Sequence, residues 1–347
     1  MSLERRTLNP LYSTKRLLFR YNRLQVVGYP MCPQSRLEAA ICNFFTRTDV
    51  PQENSGHLIY VKSIAAALVC AAAFLLIAPA SARADGFTDF WVGYRYGTNF
   101  REPANPNAIA KNIPQIQYVS GDRMGSNFMN VDILISDGVD QANGPLISGL
   151  PCCQNGGAQE IYIVLRHELS LQGLLQNMTD HKFKFKSAVV RDLGLTGGFD
   201  FNSKGDQFTS RVRKYFIGPT INFNAPGFAS LSVLLKAEQN HNAIVGKYVG
   251  FHGNIQLEGS WGFPMHILLP AKIVGFFTYD TPKGPDGFGV QTAPETLVES
   301  QLMFDVAGKS KKCWIGVGYQ YWHNKFGSVG VGTTAATPQL EMEYHLP

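Results

Sequence analysis

The chain has 347 residues, 45% of them hydrophobic and 16% charged, with a formal net charge of +5. That charge is unevenly placed: residues 1–84 hold ten basic and four acidic residues, whereas 85–347 hold 21 and 22, a net of −1. The larger part therefore offers no electrostatic reason to bind nucleic acid, and its three cysteines, Cys152, Cys153 and Cys313, contain no CxxC pair that would indicate zinc or thioredoxin-like redox chemistry.

Residues 1–60 show no sustained helical or strand period. They read either as a basic arm or, more economically, as a non-native or disordered N-terminal extension upstream of a true start at Val61. Residues 61–84 have the three regions of a secretory signal peptide. Lys62 precedes an apolar run from Ile64 to Ala78, Pro79 ends any helix, and Ala82-Arg83-Ala84 has the small-x-small form of a cleavage site. The run is short for a membrane span of about 20 residues, so a retained anchor is the lesser reading. The expected mature protein begins at Asp85.

From Asp85 the text is rich in Gly, Phe, Tyr, Asn and β-branched residues, and what recurs is alternation over segments of strand length. Met129, Val131, Ile133 and Ile135 alternate with Asn130, Asp132 and Leu134. Leu340, Met342, Tyr344 and Leu346 alternate with Gln339, Glu341, Glu343 and His345. Twelve strands are predicted, at 87–97, 113–121, 126–136, 158–169, 189–201, 211–223, 228–239, 250–261, 270–280, 295–306, 313–323 and 337–346. Their lengths suit tilted transmembrane strands of about 9–11 residues. Pro114 and Pro219 are blemishes, since neither can donate to a ladder.

Connections after odd-numbered strands are long, and most of those after even-numbered strands are short, as in an outer-membrane barrel with long external loops and short periplasmic turns. The segments 170–188 and 262–269 break the rule. In the first, Lys182, Lys184 and Lys186 alternate with Phe183 and Phe185, which suggests an extra short strand or an amphipathic segment. A soluble barrel remains the alternative, because alternation does not say which face is inside. Three features favour the membrane: uniformly long strands, apolar faces almost free of charge, and aromatic residues near strand ends. Trp91, Trp261, Trp314, Trp322, Phe90, Tyr94, Tyr96, Tyr319 and Tyr321 are expected to form interfacial girdles. The expected fold is thus all-β, a transmembrane antiparallel barrel of about twelve strands.

No G-x-S-x-G, H-E-x-x-H or His-x-Ser pair is present, so no enzyme chemistry is indicated. His167 beside Glu168 reads as an interfacial residue, and the paired carboxylates Glu341 and Glu343 as a charged pore wall. No metal or cofactor is called for. Cys152 and Cys153 fall in an external loop and Cys313 at the periplasmic end, so no bridge between them is expected.

The stretches 87–103 (FTDFWVGYRYGTNFREP), 125–137 (GSNFMNVDILISD), 157–171 (GAQEIYIVLRHELSL), 192–204 (DLGLTGGFDFNSK), 285–289 with 295–306 (PDGFG, ETLVESQLMFDV) and 318–327 (GYQYWHNKFG) cover much of the region. In that order they resemble the Tsx-type nucleoside-specific channels of Gram-negative outer membranes, and most of all a divergent branch of putative outer envelope proteins. The resemblance implies a twelve-stranded monomeric barrel with a narrow nucleoside pore. The chain departs from the usual aromatic ending, finishing Tyr344-His345-Leu346-Pro347.

Alternation assigns Asn130, Asp132, Glu160, Tyr162, Arg166, Lys214, Lys236, Glu238, Glu258, Lys272, Phe276, Glu299 and Gln301 to the lumen. The set mixes charge signs and includes rings suited to a nucleobase. The expected partners are outer-membrane lipid and a small solute, nucleosides by resemblance. Two alternatives stand beside the channel: a barrel plugged by its own polar side chains, and a structural or adhesive protein acting through its external loops.

Overall fold

In the computed structural model, residues 86–140, 157–179, 184–308 and 312–346 are described. The extension, the signal segment and the Cys152-Cys153 pair lie outside them.

Alternating sequence forms one antiparallel sheet of thirteen strands. These are β1 (Phe87–Phe100), β2 (Ile109–Asp122), β3 (Gly125–Ser136), β4 (Gln159–Ser170), β5 (Val190–Lys204), β6 (Arg213–Phe223), β7 (Phe228–Asn242), β8 (Lys247–Gly250), β9 (Asn254–His266), β10 (Pro270–Asp280), β11 (Glu295–Asp305), β12 (Cys313–His323) and β13 (Ala335–His345). Each wall strand pairs with the next wall strand along the chain, β7 with β9 across the intervening β8. The first and last strands meet where β1 pairs with β13, from Trp91 opposite His345 to Gly97 opposite Gln339. The β6–β7 pairing completes the ring. Twelve strands make the wall. β8 stands apart as a short return strand on the tip of β7, where Asn242 pairs with Lys247.

The two faces settle what alternation left open. On β13, Thr337 and Gln339 point inward and are 0% and 3% exposed, while Leu340 between the interior positions Gln339 and Glu341 is 62% exposed. On β7, Lys236 is 2% exposed and Leu235 beside it 64%. The apolar face is outside and the polar face inside, the reverse of a soluble barrel. A band of Leu, Ile, Val and Tyr around a closed wall is stable against hydrocarbon and unstable against water. The molecule is therefore an outer-membrane β-barrel. Closure leaves no free edge in lipid.

Connections at 101–108, 205–212, 243–253, 281–294 and 324–334, with residues 137–140 and 157–158, gather at one end, the long-loop mouth. Apart from the segment after β4, the opposite end carries tighter connections. At Asp122 to Gly125 the Asp122 carboxylate accepts from the Met124 amide at 2.7 Å. At Asn224 to Gly227 the left-handed φ of 96° at Gly227 makes the turn.

Several expectations are corrected. The segment after β4 folds as helix α1 (Leu171–Thr179), and residues 184–187 are irregular rather than a strand, while Lys182 and Phe183 lie outside the described residues. β9 runs on to His266, which shortens the turn read at 262–269 to residues 267–269. The two prolines interrupt the ladder without ending their strands. The β2–β3 register passes from Asn112 to Gln115, and the β6–β7 register from Ile217 to Thr220, each skipping the proline that lacks an N–H.

The aromatic girdle is also thinner than expected. Tyr94, Tyr319 and Tyr321 are exposed on the outer face, and Trp261 lies outside over Gly275. Trp91, Trp314 and Trp322 turn inward. The Lys272 ammonium stands 6.0 Å from the Trp91 ring and 4.8 Å from the Trp314 ring, and the Trp322 indole N–H donates to Glu295 at 2.7 Å. Cation and carboxylate partners outweigh the interfacial preference of tryptophan here.

Candidate functional site

The barrel interior is built from side chains that reach across it. Arg95 on β1 donates to Asp132 on β3 at 2.6 Å and to Glu299 on β11. Gln115 and Asn130 donate to the same Asp132 carboxylate, at 2.8 and 2.9 Å, and Gln320 to Glu299 at 2.7 Å. A second bridge is centred on Arg166 of β4. It donates to Asp200 on the adjoining β5 at 2.7 Å and to Glu258 on β9 at 2.9 Å, while its guanidinium lies 4.2 Å from the Phe216 ring centre. β4 and β9 are separated by three strands of the ring, so Arg166–Glu258 spans the lumen. A guanidinium is suited to this, since its fork satisfies two carboxylates at once.

Two further groups flank these bridges. Lys236 on β7 pairs with Asp280 at 2.6 Å and Glu238 at 3.4 Å, and Lys283 pairs with Glu238 at 2.5 Å. Toward the short-turn end, Lys272 pairs with Glu343 at 2.5 Å beneath Trp91 and Trp314, and His345 adds a contact to Asp89 at 2.8 Å. Phe276 and Gln301 have no such partner to fix them. Phe276 lies directly opposite Glu299 in the β10–β11 register, and Gln301 is two residues along from Glu299, so both share its inward face. His167 is exposed near the short-turn end, its ring nitrogen 2.8 Å from the Asn127 amide oxygen.

At the long-loop mouth the interior widens into a vestibule of about 590 Å³. Glu160, Tyr162, Asn202, Lys214 and Glu238 line it from the wall, and Phe208, Phe251, Phe288 and Phe326 from the loops. Asn202 donates to Glu160, and the Tyr162 hydroxyl donates to Asp200 at 3.1 Å. Because β4 runs from the mouth toward the short-turn end, Arg166 lies two inward-facing positions deeper than Tyr162. The arginine bridge lies below the residues that line the vestibule.

One carboxylate stands at the centre of the rim's ion pairs. Glu102, in the loop after β1, accepts from Lys111 at 2.6 Å and Lys325 at 3.1 Å, with Lys204 at 3.5 Å. Burial works to raise its pKa, but the three ammonium groups outweigh it and hold the carboxyl well below the usual glutamate range. Lys204 is shared with Asp140 at 3.1 Å and Asp206 at 3.3 Å. Gly332 permits the close approach of the 324–334 loop: its φ is 74°, and a Cβ there would stand 2.0 Å from the Glu102 carbonyl oxygen.

All thirteen residues assigned to the lumen by alternation fall on the interior wall. Arg95, Asp200 and the Glu102 cluster were not in that set. Arg95 shares its face with Trp91, which read as a lipid-facing residue. Asp200 stands on a strand whose glycines blur the alternation. Glu102 and Lys325 lie in loops, where no period exists to read.

Neither a family model nor a curated protein matches the chain. Among solved structures it is similar to the KdgM porin, at 10% identity over 74% of this chain and 99% of that one, with a TM-score of 0.37. It is similar to the β domain of the Bordetella autotransporter BrkA at 8% identity over 75% and 99%, with a TM-score of 0.34. It is also similar to the outer-membrane protein OmpT of Vibrio cholerae at 10% identity over 76% and 99%, with a TM-score of 0.31. At these scores the likeness carries no conclusion about activity.

Proposed function

We propose that the barrel is a passive, selective outer-membrane channel for small polar solutes, with nucleosides as the solute class. The observation that carries this is the vestibule of about 590 Å³, which offers rings and polar groups together above the Arg166 bridge. A nucleoside presents a flat base and a ribose edged with hydroxyls. Tyr162, Phe208 and Phe288 supply faces on which a base can stack, and Asn202 and Asn240 supply partners for hydroxyls and ring nitrogens. Transport needs only weak, reversible binding, and no covalent step is invoked. The nucleoside reading is further supported by the sequence resemblance to the Tsx-type channels.

A second reading has its own observation. Arg95 and Arg166 tie opposite parts of the wall together, and interior residues such as Leu234 and Met303 are 0% exposed. A barrel so filled could serve as a plugged, structural envelope protein. Planar-bilayer recording separates the two. Discrete current reduced by adenosine or thymidine supports the channel. A folded barrel without current supports the plugged form.

A further inference from the structure

We infer that the floor of the vestibule carries an oxyanion subsite centred on the Lys214 ammonium, which takes the carboxylate or phosphate group of a ring-bearing solute. β6 places Lys214 on the inner face, directly opposite Asp200 on β5 and Glu238 on β7. Either could have neutralised it. Both are turned to other cations: Asp200 to Arg166 at 2.7 Å, with the Tyr162 hydroxyl also donating to it, and Glu238 to Lys283 at 2.5 Å and Lys236 at 3.4 Å. Lys214 makes one long hydrogen bond, to the Tyr162 oxygen at 3.3 Å.

Lys214 is 9% exposed. Among the described residues, every other lysine or arginine as deeply buried has a carboxylate oxygen within 4.0 Å, and Lys214 has none. A buried ammonium has three donors and a high cost of desolvation, and both are offset when an anionic oxygen arrives. The open space beside it is the vestibule itself. The other carboxylates of the vestibule are engaged elsewhere: Glu102, Asp140 and Asp206 face Lys111 and Lys204, Glu160 accepts from Asn202, and Asp286 accepts from the Phe288 and Val290 amides. Asp200, Glu238 and Glu295 act on the Lys214 ammonium only from beyond contact distance. The Tyr162 ring, 5.9 Å from the ammonium, gives the ring of the solute its surface.

The subsite builds on the solute-binding reading of the vestibule. Its test needs no current, so its failure is distinguishable from a failure to conduct. Calorimetric titration of the folded barrel in detergent with benzoate and with benzamide compares the same ring with and without charge, and AMP against adenosine does so for phosphate. Benzoate should bind tighter than benzamide by on the order of tenfold, the scale of one charge-assisted hydrogen bond. Preference for benzoate alone marks a carboxylate site, for AMP alone a phosphate site, and for both a general oxyanion site. Lys214→Gln should abolish the preference while sparing benzamide, and Lys214→Arg should retain it. In the unaltered protein, added salt should weaken benzoate and leave benzamide unchanged, which keeps the test decisive if Lys214→Gln does not fold. Equal binding of charged and neutral probes, no binding of any, or an equal loss for both in Lys214→Gln would overturn the assignment.

Discussion

Glu102 is a loop carboxylate surrounded by Lys111, Lys204 and Lys325, and it closes the rim from three directions. Its folded pKa is depressed, so its contribution is complete above the ordinary glutamate value of 4.5 and is lost as pH falls below that value through the folded one. Hydrogen exchange should report this at the Ala104 amide, which donates to Val331, and the Lys325 amide, which donates to Thr333. Both should lose protection in Glu102→Gln at neutral pH, and in the unaltered protein only under acid. Unchanged protection in Glu102→Gln would show that the backbone holds the rim without the carboxylate. Deeper in the vestibule, Tyr162→Ala should weaken adenosine block by about 1–3 kcal/mol, the range of one base–aromatic contact, while the barrel keeps its heat-modifiable gel mobility. Block of undiminished strength would remove Tyr162 from the solute path.

Each wall strand presents lipid on one side and a charged interior on the other, and the two sides should answer substitution differently. Leu340 lies at mid-strand on β13 and is 62% exposed. Leu340→Arg should destabilise the barrel by about 2–4 kcal/mol, as for a cation at the bilayer midplane, measured by reversible urea unfolding in lipid vesicles. Normal stability would place that face in water. The interior bridge behaves in another way. Arg166→Met leaves Asp200 and Glu258 without their cation, and breaking a buried pair costs about 3–5 kcal/mol. The same variant, with a positive charge removed from the narrow part, should shift ion selectivity toward cations. A stability loss without any change in selectivity would mean that ions do not pass Arg166.

This period-two signal is why the elements were legible. Lipid outside and polar groups inside impose the same alternation on every wall strand, and all twelve were found within a few residues of their observed bounds. The misses follow from physics that alternation does not encode. β8 is a loop hairpin with no lipid face. Helix α1 lies off the wall. Trp91, Trp314 and Trp322 obey the alternation but were read by residue type, and their inward cation and carboxylate partners became visible only with the register. Interior faces were legible residue by residue, but their pairings were not. Arg166 and Glu258 are 92 positions apart, and only ring closure brings them together.

At the scale of the molecule, closure between β1 and β13 makes one continuous wall, and the loops at one end build the vestibule above the arginine bridges. Twelve strands lie between the small barrels whose interior side chains fill and the large ones that leave an aqueous channel, so the same fold can conduct or be plugged. Single-channel recording of the purified barrel in a planar bilayer decides between them. The account predicts discrete conductance steps, reversibly reduced by adenosine added on the long-loop side and altered in ion selectivity by Arg166→Met. A correctly folded, inserted barrel that carries no current, and still carries none when Arg166 is replaced, would contradict it.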